Sequence, residues 1–196
     1  MLKTDRKDCI IELLKNVWCV HYWFKSKFGK EITIINSDQI PLHRNKNSSQ
    51  KTLSFTGETT DVKESYMLSQ ERVTVFTQGF TDPARPLPDP EFVFKGKGTT
   101  TKLNHSPGIK SHWSPKGSYC LDTMLSTIEN LPNRYNMISE SNFALYILDD
   151  YSVHITDRVR KALLAKGYIL VVIGGCITGD VQCNDTHIHH KLKKAY

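Results

Sequence analysis

Three aspartates carry the chemical interest of this 196-residue chain. Asp38 follows the β-branched run Ile32-Thr33-Ile34-Ile35, Asp149 closes the apolar run Phe143 to Leu148, and Asp185 comes after the last apolar run, near the start of the final stretch. Carboxylates at adjacent strand ends converge in the crevice of an α/β sheet, and they repel one another unless a cation neutralises them. Oxygen ligands of this kind suit Mg²⁺ or Mn²⁺. Two such ions about 3.5–4 Å apart can activate a water or hydroxyl and stabilise the leaving oxygen of an in-line phosphodiester displacement. No Cys, Ser or His nucleophile is needed. Each acid also has a plainer reading. An Asp after a strand is a common turn residue, Asp149-Asp150 can open a turn before Tyr151, and Asp185 can be an N-cap or first-turn acid of a final helix.

Other groupings compete. Cys176, Cys183, His187, His189 and His190 invite a zinc site, but their spacing matches no familiar finger and points to adventitious metal affinity. Gly174-Gly175-Cys176-Ile177-Thr178-Gly179 follows the last strand and lacks the βαβ unit and acidic residue of a dinucleotide site. Trp18, Tyr22, Trp23 and Phe24 sit on one amphipathic helix, where aromatics serve a core or an interface more often than base stacking. Trp113, in a lysine-rich stretch, is the better stacking candidate and otherwise a packing anchor.

The elements that must position these groups can be read from periodicity. Residues 5–28 carry Ile10, Leu13, Leu14, Val17, Trp18, His21 and Phe24 at helical spacing, with Gly29 as stop. Residues 31–36 read as a buried strand, which Pro41 bars from running on. Thr52 to Phe55, Arg72 to Gln78 and Glu91 to Lys95 are further strand candidates, and 96–118 reads as irregular. Leu121 to Leu131 has helical period, Phe143 to Leu148 is a strand, and Thr156 to Lys166 is a helix stopped by Gly167. Tyr168 to Ile173 is a strand buried on both faces, and Val181 to Tyr196 is helical towards its end. Strands come first and then interleave with helices, which predicts an α/β fold with a mixed sheet flanked by helices.

Composition narrows the class. Lys and Arg total 26 against 20 Asp and Glu, giving +6 at neutral pH, with 39% apolar and 23% charged residues. That excludes wholesale disorder, collagen and coiled coil. No apolar run approaches a membrane span, the N-terminus lacks a secretory apolar core, and five scattered cysteines argue for a reducing compartment. Lys95, Lys97, Lys102, Lys110 and Lys116 fall in a stretch without acids, and Lys191, Lys193 and Lys194 crowd the C-terminus. With Trp113, these are the candidate contacts to a polyanion, giving salt-dependent binding. An ordinary solvated basic surface is the bland alternative.

Ile35-Asn36-Ser37-Asp38-Gln39-Ile40-Pro41 resembles the first catalytic block of the DDE superfamily endonucleases, the pogo/Tigger/jerky-type transposases related to mariner elements and to centromere protein B. Leu148-Asp149-Asp150-Tyr151-Ser152-Val153-His154 resembles their second block. Gln182-Cys183-Asn184-Asp185, followed by Lys191-Leu192-Lys193-Lys194-Ala195-Tyr196, is similar to the third. Arg72 to Val75 and Phe92 to Lys97 resemble intervening strands. The resemblance covers about residues 30–196 in order. It implies an RNase H-like mixed five-stranded sheet, with Asp38, Asp149 and Asp185 as metal-binding catalytic triad and His154 beside the site. It further implies Mg²⁺ or Mn²⁺ as cofactor, DNA as partner, a homodimer, a nuclear location, and cleavage and strand transfer at transposon ends. Residues 1–29 form an N-terminal helical segment ahead of this domain, without the family's helix-turn-helix reading region. Cys183 replaces the usual Pro, and Gly174 to Thr178 replaces the usual turn. A catalytically silent, domesticated or degenerate nucleic-acid-binding protein on the same fold is therefore the alternative expectation.

Overall fold

The computed structural model describes residues 6–43, 72–81, 88–96, 109–134, 142–175, 177–182, 184–189 and 191, and of 43, 72, 179, 180 and 185–187 the backbone alone. The elements are α1 (Arg6–Phe28), β1 (Thr33–His43), β2 (Arg72–Phe80), β3 (Glu91–Lys95), β4 (Lys110–Ser114), α2 (Leu121–Asn130), β5 (Ala144–Asp149), α3 (Asp157–Ala165), β6 (Tyr168–Ile173), the short α4 (Thr178–Val181) and a π-helical turn, Asn184–His189. Six strands hydrogen-bond in the order β4-β3-β2-β1-β5-β6. The sheet is mixed: β1 with β5, β5 with β6 and β3 with β4 are parallel, and β2 with β3 is antiparallel. The α/β class is as expected. The extra strand is β4, inside the stretch read as irregular, where Gly- and Ser-rich flanks mask a short polar strand. The candidate strand Thr52 to Phe55 lies outside the described residues.

Two compact units share the chain. The first takes Met1–Asp38, Thr77–Asp89 and Cys120–Tyr196. Here Phe24 of α1 packs with Ile32 and Leu145, and Val17, Val20, Phe28, Ile34, Phe143 and Val171 close around them. Burying a side chain such as Phe24, 1% exposed, contributes roughly 1.5–3 kcal/mol. α3 packs on β6 and on α2, with Met124, Ile128, Val159 and Leu163 buried. Thr156 caps α3 by accepting from the Val159 N–H at 3.4 Å. Gly167, at φ +83°, turns the chain from α3 into β6 in a conformation that disfavours a side chain, and its carbonyl accepts the N–H of Ala144 at 3.1 Å. Arg134 is buried, lies 5.5 Å from the Tyr168 ring and donates to the Asn142 carbonyl, which fixes the approach to β5.

The second unit takes Gln39–Phe76 and Pro90–Tyr119. Buried Glu91 accepts from the His112 ring at 2.9 Å and from the Tyr119 hydroxyl at 3.3 Å. Tyr119 stacks on Phe76 with ring centroids 4.6 Å apart. Trp113 lies 5.2 Å from Phe94, so its ring is partly spent on packing. Among the described residues no helix is long and apolar enough to cross a membrane.

β1 corrects the expectation that Pro41 ends the strand: it runs on to His43. The N–H and carbonyl of Ile34 both bond Thr81, at the end of β2. Successive residues turn to alternate flanks, so Pro41 turns to the opposite flank. There β5 pairs with β1 from Thr33↔Ala144 to Asn36↔Ile147 and ends at Asp149. The missing N–H of Pro41 thus falls where β5 has already stopped, and costs no ladder bond.

Candidate active site

The β1–β5 register decides where the first two aspartates meet. Asn36 is opposite Ile147. The pairing ends there; counted on by two residues it leads to Asp38 on β1 and Asp149 on β5, both with the parity of Ile34 and Leu145. Adjacent strands lie about 4.8 Å apart where they pair, so this count brings both carboxylates towards the end of β5. Asp38 is buried, its side chain 8% exposed, whereas that of Asp149 is 29% exposed.

Each carboxylate has a buried imidazole against it. Nδ1 of His154 lies 2.5 Å from Oδ1 of Asp149, and the Tyr151 N–H reaches the same oxygen at 3.4 Å. Asp149 therefore does make the turn that the plain reading gave it. Both bonds fall on Oδ1. Tyr151 lies edge-on to His154, 5.4 Å between centroids. On β1, Nδ1 of His189 lies 3.4 Å from Oδ2 of Asp38, and its Nε2 lies 3.0 Å from the Thr77 hydroxyl. Both histidines are essentially fully buried.

The third block is pinned to β1 by amides. Gln182 Nε2 donates to the Ser37 carbonyl at 3.2 Å. The Asn184 N–H donates to Asn36 Oδ1 at 3.2 Å, and its Nδ2 donates to the carbonyls of Asn36 at 3.2 Å and Thr77 at 3.0 Å. The backbone of Asp185 thus starts next to a residue anchored two positions from Asp38, within the π-helical turn; such turns recur at functional sites. Of the stretch 181–196, expected to be helical towards its end, the described residues show the end of α4 and this turn, where Asn184 bonds β1 and β2, while 183, 190 and 192–196 lie outside the described residues.

Sequence reasoning missed Asn36, Thr77, Gln182 and Asn184. Gln182 and Asn184 precede Asp185 in the third block, which was the available signal; nothing in spacing pointed to Thr77. His189, grouped by sequence with a zinc set, lies instead on Asp38 and Thr77. Cys176, Cys183 and His190 lie outside the described residues, as do Lys97, Lys102, Lys193 and Lys194. Lys95, Lys116 and Lys191 are exposed and Lys110 half-buried.

Two carboxylates just past the paired stretch, with oxygen as their only donor type, fit a hard divalent cation. Among the described residues no group of three His, Cys, Asp or Glu is placed to hold a metal, and of Asp185 only the backbone is described.

No protein-family model matches the chain, and no curated protein matches it. Among solved structures, the Mos1 transposase paired-end complex with left transposon end is similar, with a TM-score of 0.50 at 14% identity over 97% of this chain and 47% of that one. At that identity the likeness is one of fold, and the fold is transposase-like. The chain spans about half the length of that transposase.

Proposed function

We propose that this chain is the nuclease core of a DDE-type transposase, cutting DNA phosphodiesters with a divalent metal held by Asp38, Asp149 and Asp185. What supports this reading is the parallel β1–β5 pairing, which ends two residues short of Asp38 and Asp149, in a fold similar to that of Mos1 transposase. When bound, Mg²⁺ or Mn²⁺ supplies charge neutralisation and a more acidic water. The chain's own work is to hold the oxygens in place. β1 and β5 carry two of the carboxylates just past their paired stretch, His154 fixes the Asp149 rotamer, and the amides of Gln182 and Asn184 dock the third block. DNA as the substrate class is supported by the transposon end in the similar structure and by the basic stretches 95–116 and 191–194. The pogo/Tigger-type subtype, with its homodimer and nuclear site of action, belongs to the same reading.

The test is nicking of supercoiled plasmid in Mg²⁺ or Mn²⁺. Asp38→Asn and Asp149→Asn are expected to fall to background while remaining folded. Equal nicking by variants and wild type overturns the assignment. Salt-sensitive DNA binding without metal-dependent nicking in the wild type selects the silent nucleic-acid-binding alternative, and preference for an RNA–DNA hybrid selects a host nuclease.

A further inference from the structure

We infer that His189 is the positioning residue of Asp38, fixing the carboxylate orientation that a divalent ion requires; this rests on the metal-dependent reading above. The side chain of His189 is buried, and its two ring nitrogens face different partners: Nδ1 the Asp38 Oδ2 at 3.4 Å, Nε2 the Thr77 hydroxyl at 3.0 Å. An ionised carboxylate only accepts, so Nδ1 carries the proton, and Nε2 accepts from the Thr77 O–H in the neutral ring. The result is a directed chain from Thr77 on β2 through the imidazole to Asp38 on β1. Thr77 is itself held, since its carbonyl accepts from Asn184. The ring therefore cannot swing without breaking its bond to the Thr77 hydroxyl, and its Nδ1 is held against one oxygen of Asp38. Groups that orient a metal-binding side chain typically change affinity 10–100-fold when removed. The site thereby has two carboxylate–imidazole pairs with buried rings, the part-exposed Asp149 with His154 and the buried Asp38 with His189. The second joins β1 to a residue remote in sequence, on the turn that also carries Asp185.

The two ring nitrogens can be separated by substitution. The amide of Asn lies where Nδ1 does and can still donate to Asp38, while that of Gln reaches towards Thr77 and not Asp38. Mn²⁺ binding to the full chain, measured by calorimetry and by the loss of the free-ion paramagnetic resonance signal, is compared for wild type, His189→Asn, His189→Gln, His189→Leu and Asp38→Asn, with thermal unfolding of each. His189→Gln and His189→Leu are expected to weaken Mn²⁺ binding about 10-fold or more, with His189→Asn within about 3-fold of wild type. Asn and Gln variants of equal Mn²⁺ affinity overturn the inference, because a purely packing role does not distinguish them. If His189→Leu does not fold, the Asn–Gln comparison decides alone. If Asp38→Asn abolishes binding and His189→Gln binds like wild type, the inference falls and the nuclease reading stands. Wild type without Mn²⁺ affinity, or Asp38→Asn with full affinity, removes both.

Discussion

Asn184 offers the sharpest test of how the third block is docked. Its side chain is fully buried, and Nδ2 donates to two carbonyls, those of Asn36 at 3.2 Å and Thr77 at 3.0 Å. Among the described residues its Oδ1 has no hydrogen-bond partner. Asn184→Ala removes two hydrogen bonds, each worth about 0.5–1.5 kcal/mol net, and strands two buried acceptors. It also removes an oxygen that was already desolvated and unpaired, which returns roughly 1 kcal/mol. The expected loss is about 2–3 kcal/mol, or a fall in Tm of roughly 4–12 °C for a chain of this length. Asn184→Asp keeps the shape and the volume but aims an oxygen at the same two carbonyls. It should therefore be less stable than Asn184→Ala, by about 1 kcal/mol or more. Urea titration followed by circular dichroism reads both variants. The backbone N–H bond to Asn36 Oδ1 survives in each and cancels from the comparison. Aspartate as stable as alanine, or an alanine variant within about 0.5 kcal/mol of wild type, refutes the reasoning.

Further outcomes follow from other contacts. Gly117 sits at φ +66°, and an added Cβ meets Lys95 Cβ at 3.0 Å, so Gly117→Ala should cost about 1–3 kcal/mol by thermal melting. Thr156→Ala should lose about 1 kcal/mol from the α3 cap, while Thr156→Ser stays near wild type. Phe24→Ala should cost about 3–5 kcal/mol in chemical denaturation, since the ring is sealed against Ile32 and Leu145. In DNA binding measured against salt, Lys95→Ala and Lys116→Ala should each lower the logarithmic slope by about one if these exposed lysines meet phosphates.

The sequence made most of the scaffold legible because its cues are local. The helical spacing from Ile10 to Phe24 gave α1, and the apolar run Tyr168 to Ile173 gave β6 at its observed limits. β4 was hidden because Lys110-Ser111-His112-Trp113-Ser114 is polar and alternates weakly; it becomes a strand by pairing parallel with β3. Pro41 misled because its cost depends on which flank is still paired, a non-local fact. In the candidate site, Asp38 and Asp149 were visible as acids after apolar runs. Their alignment was not, since register arises only when two strands more than a hundred residues apart come together. His189 and Thr77 were beyond reach for the same reason, as their meeting spans 112 positions.

Pro41 has a further consequence. β1 runs through it to His43, yet a proline ring offers no N–H, so any strand laid along its flank meets a gap in the hydrogen-bond ladder at this position. A residue that reads in the sequence as a stop signal thus works within the strand as a limit on how much ladder a neighbour can add.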